Sequence, residues 1–368
     1  IRLSLVGSEM CIRDRDKAMT NLVKVADDND VNTQAKLKGI TDNAISTAKE
    51  VAGSVSGVVD SMAEATKMGI KGGMSAVQEV AKYSQIFANI GDIDIGTATE
   101  GIATVVNAFD INPLKAYNVE VNGSVKKTTE LANAMDILDH AGNRYSISVG
   151  GVLEAMQNGG STMSAFGLGI QESTALITAA NESIQNPAKV GNGMKALVSN
   201  LAGLKTSAKT GNIELNKTAV ALDTIAGIDI FTDGTKTEVK SMTTLLDEIN
   251  AKWGDLTDTQ RKGLSNAIAG KQQSAVFNSL MKSYDTYQQM MSEYANGDQF
   301  GISLQENAKY VDSIQGKLAS LKATWTGIAS TVFNSNMIKG GISALDGFSQ
   351  GLSSVISVID KFNLGIPA

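Results

Sequence analysis

Side chains able to act as acid, base or nucleophile are scarce in this chain. His140 is the only imidazole and Cys11 the only thiol among 368 residues. A Ser-His-Asp relay would have to use His140, which sits in Asp136-Ile137-Leu138-Asp139-His140-Ala141-Gly142. That run reads as a helix end closed by a glycine, where a partly charged imidazole meets the negative end of the helix dipole. Capping accounts for the residue, and no catalytic residue is assigned. Asp27-Asp28-Asn29-Asp30-Val31-Asn32 has the look of a calcium loop. Counted from Asp28, however, Thr33 stands where the loop needs Gly, and Gly39 where it needs a bidentate Glu. The run reads as a solvated acidic linker. One His and one Cys also exclude a multi-histidine or cysteine-rich zinc site and a disulfide framework, so no metal site is assigned.

Asp92 and Asp94 read as acidic groups favouring the positive end of the next helix. Gly167-Leu168-Gly169 and Gly191-Asn192-Gly193 follow no clear strand. Gly270-Lys271 and Gly316-Lys317 lack the upstream glycine of a phosphate-cradling loop, and no cofactor site is assigned. A lone catalytic carboxylate, as in a cell-wall hydrolase, survives this count, but no local pattern nominates one. The expected answer is that the chain is not an enzyme.

The composition is 42% hydrophobic, 19% charged and 5% aromatic, with 36 Gly against 3 Pro. Such a chain can bury a core, and few prolines suit helices. The formal charge of -6 argues against wholesale nucleic-acid binding through a basic face. The long uncharged stretch Ala155–Gln171 is full of Gly, Ser, Thr and Gln and reads as a loop or broken helix, so membrane contact is not encoded here.

Leu5–Arg15 reads as the in-frame translation of a sequencing adapter, and residues 1–15 are expected to be non-native. With Ile1 in place of Met, the chain is expected to be a fragment. Setting the segment aside removes Cys11 and leaves the rest one charge more negative.

The supporting elements read as helices almost throughout. Leu37, Ala44, Val51, Val58 and Ala65 recur every seven residues, with Ala48, Val55 and Met62 between them, predicting one long helix over Gln34–Lys67. Gly69, Gly72 and Gly73 break it, and a second helix follows over Met74–Asn89. Thr97 and Glu100 read as the capping box of a third, with Ile102, Val105, Val106 and Phe109 on its core face. Alternation at Tyr117, Val119 and Val121 runs into Asn122-Gly123 and predicts a β-hairpin over Tyr117–Lys127. Helices follow at Thr129–His140, Gly151–Gln157 and Glu172–Ile184, and Asn186-Pro187 starts another. The pattern weakens from Lys205 to Lys240, a candidate domain boundary, where Ile228–Phe231 before Asp233-Gly234 suggests a second hairpin or loop. Thr257 and Gln260 read as a further capping box.

The last part is the most regular. Leu304, Val311, Leu318, Trp325 and Val332 are seven apart, with Ile314, Leu321 and Ile328 between them. Ile338, Leu345, Leu352 and Ile359 repeat the spacing beyond Asn334-Ser335-Asn336, with Phe348, Val355 and Phe362. These rows predict an antiparallel helical hairpin, or a longer coiled coil if the break straightens. Leu304, Val311, Leu318, Trp325, Val332, Leu345, Leu352 and Ile359 are the expected helix-association seam. The expected fold is mainly α: a multi-helix bundle core, long heptad-patterned helices at both ends and one or two small β-hairpin insertions. The expected divisions are an N-terminal helix over 16–70, a core over 71–210, a second helical part over 211–300 and the heptad pair over 301–368.

Several runs resemble the core region of tail tape measure proteins of long-tailed bacteriophages and prophages. They are Glu100–Phe109, Leu138–Ser148, Ala175–Glu182 and Asn186–Gly193, followed by Leu246–Ile249 with Trp253, Leu256 and Ile268–Gln273, and then Ala308, Ile314, Lys317, Leu318, Leu321 and Trp325. The resemblance covers roughly Val51–Phe362, with the hairpin as an insertion. It implies a structural scaffold that sets tail length, nucleates tube assembly and leaves with the DNA. It implies a place in the tail tube lumen and, during assembly, in the host cytoplasm. Implied partners are the tail tube protein, tail assembly chaperones and further copies through helical seams, without specific nucleic-acid contact. A secreted helical effector or pore-forming toxin is the alternative that the same amphipathic helices allow.

Overall fold

The computed structural model describes residues 2–206, 213–232 and 238–332. In chain order the helices are α1 (Arg2–Val25), α2 (Asp28–Val31), α3 (Gln34–Glu50), α4 (Val55–Lys67), α5 (Gly73–Gly91) and α6 (Ile95–Ala108). Strands β1 (Ala116–Val121) and β2 (Ser124–Thr129) follow, then α7 (Glu130–Arg144), α8 (Val149–Ala165), α9 (Ile170–Ile184) and α10 (Pro187–Leu201). Strands β3 (Leu204–Thr206) and β4 (Ile213–Leu215) lead to α11 (Lys217–Ala221), which runs into a π-turn at Leu222–Ala226. Then come α12 (Met242–Trp253), α13 (Asp258–Lys282), α14 (Tyr284–Asn296), α15 (Ile302–Asp312) and α16 (Ile314–Val332). The fold is mainly α. The chain forms two compact units, one from residues 1–67 and 307–368, the other from 68–306. Residues 211–300 fold inside the second unit.

In the first unit, α1 packs on α4, and α3 packs on α4 and α16. Its core is aliphatic and small: Ala18, Leu22, Ile40, Ala44, Ala48, Val55, Val58, Met62 and Ala65 are all buried. The single helix expected over Gln34–Lys67 is two. Ala52 turns the backbone with φ 57°, Gly53 N–H closes on the Ala48 carbonyl at 2.8 Å, and Ser54 Oγ accepts from Gly57 N–H at 3.0 Å. The heptad count runs straight across this turn because both helices bury the same small residues, so periodicity alone does not reveal it. The acidic run at Asp27 holds α2, a single turn that Asp27 caps by accepting from Asn29 N–H at 2.8 Å. Residues 5–15 lie within α1, where Arg15 is buried and bonded to Asp16 at 2.8 Å.

The second unit is built around α8, whose glycines explain why a sequence with poor helix propensity is a helix. α8 packs against α6, α7, α9 and α10. A Cβ on Gly159 would lie 2.6 Å from the Gly191 carbonyl oxygen, and one on Gly191 would run into the Ala155 carbonyl. The two backbones therefore touch where α8 crosses α10, which only glycine permits. Helix propensity disfavours Gly159 and Gly160 by about 1 kcal/mol each relative to Ala. Close packing overrides it, and the stretch expected to be a loop or broken helix is helical to Ala165. Gly142 acts in the same way. It does not end α7, which continues to Arg144, and a Cβ there would lie 2.8 Å from the Val149 amide nitrogen.

The hairpin stands where the alternation put it. β1 and β2 pair antiparallel, Tyr117 opposite Thr128 and Val121 opposite Ser124, around Asn122 and Gly123 at φ 48° and 76°. Two successive left-handed residues make the turn whose twist matches paired strands. Glu130 closes its base, accepting from Lys115 Nζ at 2.6 Å and Asn112 N–H at 3.0 Å. The small β3–β4 pair went unforeseen in the weakly patterned region, while Phe231 makes an isolated bridge with Val239. The third predicted helix starts earlier than expected. Asp94, not Thr97, caps α6, accepting from Gly96 N–H at 2.8 Å and Thr97 N–H at 3.4 Å. The capping box of Thr257 and Gln260 and the cap of Asn186 are present as read. α13 reverses at Gly270 (φ 72°), bringing Ser265 and Asn278 into a 2.5 Å hydrogen bond.

Candidate functional site

α7 carries the densest buried chemistry of the second unit. Leu131, Met135, Leu138 and Ala141 are buried among the neighbouring helices. Asn133, Asp136 and His140, three and four residues apart, share another face of α7 and are also buried. That face meets the end of α14 and the turn that leads into α15.

Asp136 does the most. Its Oδ2 accepts from Gly301 N–H at 2.7 Å, and its Oδ1 accepts from Ser303 N–H at 3.1 Å and Ser303 Oγ–H at 2.5 Å. Residues 301–303 open α15, and Gly301 has φ 75° and no side chain to serve as a cap. A carboxylate from α7 therefore supplies the cap that α15 lacks, satisfying its orphan amides. Burial pushes the Asp136 carboxyl above the usual carboxylate range, against the three hydrogen bonds that favour the ion.

Around Asp136 the same face makes further polar contacts. Gln299 Nε2 donates to Asn133 Oδ1 at 3.4 Å. Tyr294 Oη donates to the Ile137 carbonyl at 3.1 Å. Tyr145 Oη donates to Glu293 Oε2 at 2.8 Å, and Gln289 Nε2 to Glu293 Oε1 at 2.9 Å.

His140 is 0% exposed. Its Nε2 lies 3.3 Å from Glu293 Oε2 but is misaligned for a hydrogen bond, and neither ring nitrogen has a hydrogen-bond partner among the described residues. The ring sits among aromatic neighbours, 5.3 Å from Tyr294 and 6.1 Å from Tyr145 between centroids. Desolvation lowers its pKa from 6.5, and Glu293 opposes the shift. Among the described residues no hydroxyl is hydrogen-bonded to the imidazole as a nucleophile would be. The Tyr145 phenol is itself held protonated, its pKa pushed well above 10 by burial and by its bond to Glu293. His140 thus sits inside α7 rather than at its end, and the glycine cap read from the sequence does not explain it.

A cleft of about 500 Å³ opens beside this row, lined by Tyr145, Ser146, Ser148, Asn181, Gln185 and Pro187. Asn181 Nδ2 and Gln185 Nε2 both donate to the Ser146 carbonyl, at 2.9 and 3.3 Å. Ser148 Oγ caps α8 by accepting from Gly151 N–H at 3.0 Å, and Asn181 Oδ1 has no hydrogen-bond partner among the described residues. Among the described residues no group of three or more His, Cys, Asp or Glu is placed to hold a metal ion, and no helix is long and apolar enough to cross a membrane. What this arrangement does is mechanical: it fixes residues 293–303 on α7 at one register.

A family model for phage-related minor tail proteins matches residues 41–270. This chain belongs to that family. Membership makes it a component of the phage tail with a structural role, and it points away from catalysis. No solved structure matches it. The α7 row lies inside the matched region, and its partners at 293–303 lie beyond it.

The heptad seam falls in three places. Leu304 is on α15 and 46% exposed, Val311 is half-buried, and Leu318 on α16 is 62% exposed. Trp325 and Val332 belong to α16, but their side chains lie outside the described residues, as do Leu345, Leu352 and Ile359. The helix expected to run through Leu304–Val332 breaks at Ser313, whose N–H bonds the Tyr310 carbonyl at 3.0 Å and whose Oγ accepts from Gly316 N–H at 3.0 Å.

Sequence reading missed the α7 row because its members are spread over some 170 residues. The available signal was Asn133, Asp136 and His140 on one helical face: polar groups at core spacing need buried partners.

Proposed function

We propose that this minor tail protein is a tail tape measure protein, which sets tail length, nucleates tail tube assembly and leaves the tail with the DNA. Family membership and the mainly helical fold of the described residues support the reading. A helix converts residue count to length at about 1.5 Å per residue. The helices of the second unit fold back on one another, so this unit is a compact segment, and the measuring length belongs to helical sequence flanking it in the full gene. In this reading the tail tube protein and the tail assembly chaperones are the partners, further copies associate through the heptad seam, and the tube lumen is the site of residence.

The test is deletion of whole heptads from the flanking helical region, with tails imaged by electron microscopy. Removing about 70 residues shortens the tail by about 105 Å if the tape is helical. Tails of unchanged length would refute the reading.

A further inference from the structure

The β1–β2 hairpin has one covered edge and one open edge. Its two-residue turn closes on the Val121–Ser124 pair, and inter-strand hydrogen bonds then fall on every second pair, Val119–Lys126 and Tyr117–Thr128. The N–H and C=O groups of Asn118 and Glu120 in β1, and of Val125 and Lys127 in β2, therefore point away from the partner strand. On the β1 side, the end of α14 meets that edge. The Asn296 carbonyl accepts from Asn122 N–H at 3.4 Å, and a Cβ on Gly297 would run into the Glu120 carbonyl oxygen. On the β2 side, no backbone group from outside the hairpin bonds to Val125 or Lys127 among the described residues. Ser124, Val125, Lys126 and Lys127 are all exposed, Val125 by 68%. The edge is open on a well-seated hairpin, since Val119 is buried and β1 packs on α7 and α14.

We propose that the β2 edge docks an extended acidic segment of another protein, which adds a third strand to the hairpin. Unpaired amides and carbonyls on an edge are a template for strand addition. Main-chain bonds supply the affinity and side chains choose the partner. Here charge makes the choice. Lys115, at the base of the hairpin, is taken by Glu130 at 2.6 Å, whereas Lys126 and Lys127 have no such partner among the described residues. Adjacent in a strand, these two lysines stand on opposite faces of the sheet. A second copy of the edge, paired antiparallel about Lys126, would set like charges directly opposite, which disfavours a dimer. An antiparallel strand with two successive acidic residues meets both lysines, one on each face. An apolar residue following those two covers the exposed Val125. This inference does not depend on the tape measure reading.

Solution NMR on the isotope-labelled full chain tests it with two synthetic peptides, Thr-Glu-Glu-Val-Thr capped at both ends and its Thr-Lys-Lys-Val-Thr counterpart. At millimolar concentration the acidic peptide is expected to shift the Val125 and Lys127 amides saturably, and to bind about tenfold tighter than the basic one. Lys127→Pro removes an outward N–H and leaves the bonds to β1 in place. It is expected to weaken binding of the acidic peptide about tenfold, with the Tyr117 and Val119 amide signals unmoved as the check on folding. Lys126→Glu together with Lys127→Glu is expected to reverse the preference between the peptides. Equal binding of the two peptides to the unsubstituted chain would overturn the proposal, and so would the lack of a saturable shift with the acidic one. Shifts at Val125 and Lys127 that grow with protein concentration alone would also overturn it, by assigning the edge to a second copy.

Discussion

Replacing Asp136 by Ala tests the role given to α7 most directly. The substitution removes the acceptor of three hydrogen bonds, from Gly301 N–H, Ser303 N–H and Ser303 Oγ–H, in a place where Asp136 and Ser303 are both buried. Losing a helix cap costs about 0.5–2 kcal/mol. Leaving a buried donor unmatched costs about 1–3 kcal/mol, less where water enters the space the carboxylate vacates. The sum expected is about 3 kcal/mol. For a unit of this size that lowers the melting temperature by about 6–12 °C. Asp136→Asn keeps one acceptor oxygen but turns an amide N–H₂ toward one of the donors, so about half the loss is expected. The assay is urea unfolding by circular dichroism, with hydrogen exchange at the amides of residues 301–306. Ser303→Ala in the Asp136→Ala background should cost little more, because the partners fail together. If Asp136→Ala changed stability by less than about 0.5 kcal/mol, the range of an ordinary surface substitution, or if the α15 amides kept their protection, the carboxylate would not be the cap of α15.

His140 gives a pH dependence of definite sign. Its folded pKa lies below the unfolded 6.5, so the stability from burying it neutral is present above 6.5 and is lost as pH falls through the folded value. His140→Phe should flatten the melting temperature between pH 7.5 and 5, and an unchanged slope would count against the burial argument. Asp136 runs the other way. Its folded pKa is raised, so its contribution is complete below the unfolded value of 3.8 and is lost as pH rises through the folded one. Asp136→Asn should remove that slope in acid unfolding curves. Gly191→Ala in α10 should destabilise by about 1–3 kcal/mol through its clash with the Ala155 carbonyl. Gly39→Ala, in α3 with nothing within 4 Å, should stabilise by about 0.5–1 kcal/mol. Thermal melts of the two that moved in the same direction would refute the packing account.

Periodicity and turn chemistry made most of the elements legible. Asn122-Gly123 fixed a hairpin, and Asn186-Pro187 and Thr257–Gln260 fixed helix starts. Errors arose where another contact, distant or close in the chain, overrode the rule applied. Gly159 has poor helix propensity, but the backbone of α10 lies against it. Thr97 and Glu100 have capping-box spacing, but Asp94 is nearer the first turn and takes its amides. Heptads continue across Ala52 and Ser313, where the chain turns, because spacing records which residues are apolar and not whether the helix between them is unbroken. The α7 row lay beyond local reasoning for a related cause, since Asp136 and Ser303 are partners only in the folded unit.

Asn133, Asp136 and His140 are costly choices for a core. Aliphatic residues at these positions would bury as much area without desolvating a carboxylate or leaving an imidazole unmatched. What the polar row adds is selectivity of register. An apolar α7 could slide against residues 293–303 by a turn and lose little, because aliphatic contacts are non-directional. With Asp136 in place, a slip strands the carboxylate and the Gly301 and Ser303 amides together. It also separates Tyr294 from the Ile137 carbonyl and Tyr145 from Glu293. Each mismatch costs about 1–3 kcal/mol, so one alignment is favoured over its neighbours by more than the row contributes to stability. Replacing Asn133, Asp136 and His140 together with Leu, Leu and Phe separates the two quantities. A melting temperature at or above that of the parent, with faster amide exchange over residues 299–306, would show that the row selects register. A lower melting temperature with exchange unchanged would show that it serves stability alone.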